Sequence, residues 1–295
     1  MQPVNDNGTD DVLTLRRPAR QRVPVVASSP HSGRRYAQDF LNSSRLDHLA
    51  IRRSEDAFVD DLIAGLPDHG IPTVAALFPR AFVDPNREPY ELDPAMFDAP
   101  LPRWVNSRSP RVKTGLGTVP RVVAGGAEIS RGKLAPQEAE ARIKQCYVPY
   151  HDALVALIEE TRRTFGSACL VDCHSMPSAG NDGSRQKADV VIGDRFGASC
   201  DRSVTAAATA ALRDLGLTVR RNDPYPGGFI TEHYGRPDHD VHALQFEFNR
   251  ALYMNERTMR RIGKGMESTR LALETAVLAV ADAVMAMSAP ANAAE

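Results

Sequence analysis

Apolar stretches too short to be helices alternate with helical patterns along most of this chain, and that alternation narrows the folds open to it. Residues 23–28, 73–78, 168–172 (ACLVD), 189–192 (DVVI) and 243–248 (ALQFEF) read as strands. Between them, residues 54–65 (SEDAFVDDLIAG) read as a helix with Ser54 as its N-cap. Residues 136–165 carry a long amphipathic pattern broken near Pro149, and residues 201–215 form an Ala-rich helix. Residues 256–287 read as helical with a break near Gly263 and Gly265. Strands interleaved with helices predict an α/β sandwich around a largely parallel or mixed sheet. Residues 79–133, rich in Pro, Arg and Gly and poor in periodicity, are expected to run over one sheet edge where a substrate would be held. No linker or repeat interrupts the pattern, so a single domain over 19–287 is expected, with flexible termini at 1–18 and 288–295.

Charge and cysteine usage remove whole classes of function. The net charge is −1, so no overall field favours nucleic acid or an acidic membrane, and neither is expected as a partner. No apolar run approaches the roughly 20 residues of a membrane span. The first 20 residues lack the basic and apolar regions of a secretory signal. Cys146, Cys169, Cys173 and Cys200 show no CxxC spacing and are expected to be reduced thiols in a cytoplasmic protein. Cys173 reads as a small buried residue and not a nucleophile. The oligomeric state stays open.

Polar residues collect where such a sheet gathers ligands, at the carboxyl ends of its strands. His31 follows the first strand in "VVASSPHSG", and His174 follows the apolar run ACLVD in "VDCHSMPS". Glu247 interrupts "ALQFEFNR", where a carboxylate is costly to bury without a partner. Two such histidines with a third His or carboxylate suit a hydrolytic zinc site, which keeps one position open for water. Glu55 and Asp56, at the start of the helix at 54–65, are both candidates for the third ligand, and spacing alone does not choose between them.

The segments "SSPHSG", "SEDAFVDDL", "FVDPNREPYELDP", "VDCHS", "YPGGFITEHYGRP" and "HALQFEFNRALYMNE", in this order from about residue 23 to 256, resemble the N-formylglutamate amidohydrolase (deformylase) family. The resemblance implies a three-layer α/β sandwich with a mixed, mostly parallel sheet, like that of the zinc carboxypeptidases (phosphorylase/hydrolase-like), and one catalytic Zn2+ per chain. It implies His31, Asp56 and His174 as metal ligands and Glu247 as the general base. It also implies Asn86 and Arg87 as the anchor for the carboxylate of an N-acyl amino acid, with Arg80 a weaker candidate for that task. Gly227 and Gly228 would let backbone approach the ligand, and His233 lies near enough in sequence to join them. A second substrate carboxylate needs a second cation, for which Arg80, Arg185 and Arg236 are candidates. The stretch "MPSAGNDGSRQKAD" departs from the family's pattern after D-x-H-S and is expected to line the site. The function implied is hydrolysis of N-formylglutamate or a similar small-molecule N-acyl amino acid. The alternatives are a metallohydrolase of another N-acylated or dipeptide-like acid, and a non-catalytic binding protein with the same pocket.

Overall fold

The computed structural model describes residues 12–179 and 188–288. Among these residues, seven strands form one sheet: β1 (Leu13–Arg16), β2 (Val25–Ser29), β3 (Thr73–Ala76), β4 (Ala168–Met176), β5 (Val190–Gly193), β6 (Val219–Arg221) and β7 (Val241–Asn249). Their order across the sheet is β1-β3-β2-β4-β7-β5-β6. The strands β3, β2, β4 and β7 run parallel, while β1 and the β5–β6 pair run antiparallel to their inner neighbours. The carboxyl ends of β2, β4 and β7 therefore share one edge.

Both faces of the sheet are covered, which is why its central strands are apolar nearly throughout. On one face, Val25, Ala27, Cys169, Val171, Phe246 and Phe248 pack with helices Arg202–Asp214 and Gly263–Ser288. On the other, Val26, Val74, Leu170 and Ala243 pack with Tyr150, Leu154 and Ile158 of helix Val148–Phe165. Burying one such Val, Leu, Ile or Phe side chain contributes about 1.5–3 kcal/mol. This is the expected three-layer sandwich with a mixed, mostly parallel sheet. No helix among the described residues is long and apolar enough to cross a membrane.

Several boundaries differ from expectation, each for a local reason. The strand β1 lies inside the stretch expected to be flexible; its residues pair with β3 from Leu13↔Ala76 to Arg16↔Thr73. Residues 54–65 do not form one helix. Arg52–Ser54 is a 3-10 turn, Phe58 takes a left-handed φ of 68°, and the α-helix is reduced to Val59–Leu62. Ser54 caps nothing there, and its Oγ instead accepts from the Ala124 amide at 2.9 Å. Near Pro149 the long pattern is accommodated by a π-helical turn, Ile143–Tyr147, and the helix continues through Phe165. The C-terminal helix starts at Gly263, and the residues before it form a small hairpin, Met254–Asn255 with Arg260–Arg261. Gly265 sits where a Cβ would lie 2.2 Å from the Leu252 carbonyl oxygen, so that helix start is pressed onto backbone.

Candidate active site

The period of two along β4 and β7 builds the floor of the site. Ala168 and Leu170 point into the layer under helix Val148–Phe165, so Asp172 and His174 share that face. On β7, Ala243 points the same way and is followed by Gln245 and Glu247. Register places His174 directly beside Glu247. The face is thus apolar at the start of each strand and polar at its carboxyl end. Ser28, near the end of β2, donates to Asp172 Oδ1 at 2.6 Å.

His31, just beyond β2, and Asp56 complete a triangle with His174. The His31 and His174 Nδ1 atoms lie 3.2 Å and 2.9 Å from the same oxygen, Asp56 Oδ2. The ligand atoms of the three residues all fall within 4.8 Å of one another, and all three residues are buried. The outer nitrogens are also engaged: His31 Nε2 lies 2.7 Å from Asp84 Oδ1, and His174 Nε2 lies 2.7 Å from Asp172 Oδ2. A carboxylate on each Nε2–H fixes that tautomer and turns a bare Nδ1 lone pair inward. Two lone pairs and a carboxylate oxygen that converge in a buried space demand a cation between them. Protons meet that demand in the metal-free protein: burial opposes a charged His174, yet Asp172 and Asp56 hold its pKa well above the ordinary histidine value. The donor set, two imidazoles and a carboxylate, also fits a divalent metal with an open position.

The local chain path explains why Asp56 joins the triangle and Glu55 does not. The Asp56 amide donates to the His31 carbonyl at 3.0 Å, which breaks the helix and pins Asp56 at the site. Arg250 Nη2 holds its other oxygen, Oδ1, at 2.9 Å. Glu55 turns away to Tyr36 Oη at 2.7 Å and Arg52 Nε at 2.9 Å. Burial works to raise the Asp56 pKa, but His174 and His31 hold it well below the usual carboxylate range.

Glu247 is buried beside this cluster and accepts from Gln245 Nε2 at 2.7 Å. Burial pushes its pKa from 4.5 up to about 7, against the opposing charge of His174. A carboxyl group poised near neutrality suits proton exchange. Asn86 Nδ2 lies 3.3 Å from His174 Nε2, while its Oδ1 accepts from the Ile230 amide at 2.8 Å. The Arg87 guanidinium donates through Nε to Leu116 O and through Nη1 to Asn86 O, with Nη2 3.5 Å from Asp84. One N–H on each terminal nitrogen is left over, the pair a bidentate carboxylate uses. Arg80 donates to Asp84 Oδ2 at 2.8 Å. All of these groups border one cavity of about 690 Å³, as do Gly227 and Gly228.

The sequence matches the N-formylglutamate amidohydrolase family over residues 23–254. The chain belongs to that family. An N-formylglutamate deformylase of Pseudomonas aeruginosa is 30% identical over 255 residues, covering 84% of this chain and 87% of that one. An N-formylglutamate deformylase of Pseudomonas putida is 29% identical, covering 80% and 83%. A crystal structure of an N-formylglutamate amidohydrolase from Ralstonia eutropha JMP134 superposes with a TM-score of 0.87 at 33% identity, covering 94% of this chain and 99% of that one. This member of the amidohydrolase family is thus an enzyme acting on a non-peptide amide, which meets that expectation.

Most residues singled out in this amidohydrolase's sequence meet in the cavity: His31, Asp56, His174, Glu247, Asn86, Arg87, Arg80, Gly227 and Gly228. His233 does not join them. It is exposed on helix Phe229–Tyr234 and stacks on Phe229. Arg236 is exposed too and donates to the carbonyls of Glu232 and Gly235, and neither residue lines the cavity. Arg185 lies outside the described residues, as does much of the stretch expected to line the site, though Pro177 at its start borders the cavity. Cys173 is buried, and burial raises its thiol pKa well above the ordinary value, as expected of a non-nucleophile. The sequence reading singled out none of Asp84, Asp172, Gln245 and Arg250. The signal for two of them was the alternation itself: Asp172 and His174, like Gln245 and Glu247, are spaced by two in otherwise apolar strands.

Gly228 tests how tightly the cavity wall is built. Its amide donates to Gln245 Oε1 at 2.8 Å, and an added Cβ would lie 2.4 Å from both amide atoms of Asn86. Gly228→Ala is expected to displace Asn86, cutting kcat/KM by about tenfold or more and lowering Tm, since overpacking costs about 1–3 kcal/mol. Unchanged activity and Tm would mean that Asn86 moves aside freely.

Proposed function

We propose that this enzyme hydrolyses the amide of N-formyl-L-glutamate, or a closely similar N-acyl amino acid, with one Zn2+ held by His31, Asp56 and His174. The convergence of two carboxylate-backed Nδ1 atoms on Asp56 Oδ2, with Glu247 alongside, is the observation that carries this reading. A nitrogen- and oxygen-donor triangle suits zinc among the available divalent ions. When bound, the ion supplies Lewis-acid chemistry to the attacking water and the scissile carbonyl.

The chain's own groups do the rest. Glu247 takes a proton from the attacking water and returns it to the leaving amine nitrogen, as a carboxyl that titrates near neutrality does in both directions. Gln245 orients that carboxylate from one side. Arg87 grips the substrate's α-carboxylate with its two spare N–H groups, and Asn86 spaces that anchor from His174. A small soluble substrate fits a cavity of this size. The four cysteines are all free and buried, which supports a reducing, cytoplasmic setting.

Arg87→Lys is expected to raise KM about tenfold with the fold intact. A single ammonium keeps the charge beside Asp84 but has no fork with which to serve Leu116 O, Asn86 O and a carboxylate together. An unchanged KM would return Arg87 to a purely structural role. The reaction itself is tested by steady-state kinetics on zinc-loaded enzyme with N-formylglutamate, N-formylaspartate, N-formylmethionine and N-acetylglutamate. The expected result is the highest kcat/KM on N-formylglutamate. A value no better than that for N-formylmethionine rejects the acidic substrate, and no hydrolysis of any of them rejects the N-acyl amino acid class.

A further inference from the structure

Five arginines border the cavity: Arg53, Arg80, Arg87, Arg111 and Arg250. Three are committed to acids at its floor, Arg80 and Arg87 to Asp84, and Arg250 to Asp56. Arg53 is exposed on the wall beside Arg250, whose Nη1 reaches the Arg53 carbonyl at 3.5 Å. Arg111 is different. It is half-buried, and among the described residues no carboxylate pairs with its guanidinium. Its position is nevertheless fixed. Ser109 Oγ caps the short helix Pro110–Lys113 by accepting from the Val112 amide. The Leu116 amide then donates to the Arg111 carbonyl at 2.8 Å, and the Leu116 carbonyl receives Arg87 Nε at 2.8 Å. One residue therefore ties the uncommitted arginine to the arginine that anchors substrate. The two cations are close enough for the charge of Arg111 to act on Arg87.

A half-buried guanidinium that sits near a second cation and pairs with no described carboxylate of its own is costly unless a ligand supplies the anion. From the unpaired guanidinium of Arg111, tied through Leu116 to Arg87 on the same cavity wall, we infer that Arg111 binds the side-chain carboxylate of the substrate and selects N-acyl dicarboxylic amino acids over neutral ones. This inference rests on the N-acyl amino acid reading and deepens it. It replaces the earlier candidates for the second cation with a residue outside the motifs that carry the family resemblance.

The test compares N-formyl-L-glutamate with its neutral isostere N-formyl-L-glutamine on wild type, Arg111→Gln and Arg111→Lys. Arg111→Gln is expected to lose about 10- to 100-fold in kcat/KM on N-formylglutamate, mainly through KM, and less than about twofold on N-formylglutamine. Arg111→Lys, which keeps the charge, should recover part of the loss. Equal losses on both substrates, or no loss on N-formylglutamate, overturn the assignment. A second arm measures binding of L-glutamate and L-glutamine by titration calorimetry. It decides Arg111 even if neither formyl compound turns over, an outcome that defeats the proposed reaction alone. Wild type is expected to prefer glutamate and Arg111→Gln to show no preference. The same preference in both proteins, or none in wild type, overturns the role of Arg111.

Discussion

Glu247→Gln is expected to fold, to take up its metal, and to lose about 10²–10⁴-fold in kcat on the best substrate. The side chains are equal in size, and an amide oxygen can still accept from Gln245 Nε2 as Glu247 Oε1 does. What the amide lacks is basicity, and a proton must be held and released at this atom for the amine to leave. Retention of wild-type kcat would remove Glu247 from the proton path. The same variant has a second signature in the metal-free protein. Burial raises the Glu247 pKa from 4.5 to about 7 on folding. The folded state therefore binds this proton more tightly than the unfolded chain does. The stabilisation is fully present below about pH 4.5 and is lost as pH rises through about 7. Metal-free wild type should lose Tm across that window more steeply than Glu247→Gln; parallel profiles would mean that the carboxyl is not held in a desolvated setting.

What the sequence made legible, and what it hid, divides along a physical line. Strands buried on both faces announce themselves as short apolar runs, so β2, β4, β5 and β7 were placed within a few residues from hydropathy alone. The same logic exposes Glu247, because a carboxylate inside "ALQFEF" needs a partner. Asp172 was hidden because it closes the apolar run ACLVD, and a terminal acid in a strand looks like its solvent-facing end. In fact β4 runs on to Met176, and Asp172 is wholly buried between Ser28 and His174. Pairings across more than a hundred residues, such as Asp56 with His174 and Arg250, leave no trace in local pattern.

The region from 52 to 62 shows the limit most clearly. Its apolar spacing favours a helix, and propensity alone would continue it. Tertiary contacts override that preference: the His31 carbonyl takes the Asp56 amide, and Arg52 and Tyr36 take Glu55. The chain gives up several helical hydrogen bonds and puts Phe58 at a positive φ, a conformation that costs a non-glycine residue about 1–3 kcal/mol. Which of Glu55 and Asp56 joins the two histidines is therefore set by that break, which no periodicity encodes.

His31→Ala and His174→Ala are both expected to lower metal content from about one ion per chain to almost none, read by elemental analysis of tag-free protein. Each removes one of three donors from a buried triangle, and Asp56 with the one remaining histidine offers no comparable chelate. Added zinc should raise the Tm of wild type, as any ligand selective for the folded state does, and leave both variants unmoved. The two variants should nonetheless differ in stability. Loss of His31 leaves Asp84 still paired with Arg80 and Arg87. Loss of His174 leaves Asp172 fully buried with only the Ser28 hydroxyl at hydrogen-bond distance among its described side-chain partners. Removing one member of a buried ion pair costs about 3–5 kcal/mol when the other is left uncompensated. His174→Ala should accordingly melt well below His31→Ala in the metal-free state, and Asp172→Asn added to His174→Ala should restore part of the difference. Full metal occupancy in both single variants would show that the ion is held elsewhere, and equal melting would show that Asp172 does not depend on His174 for its charge.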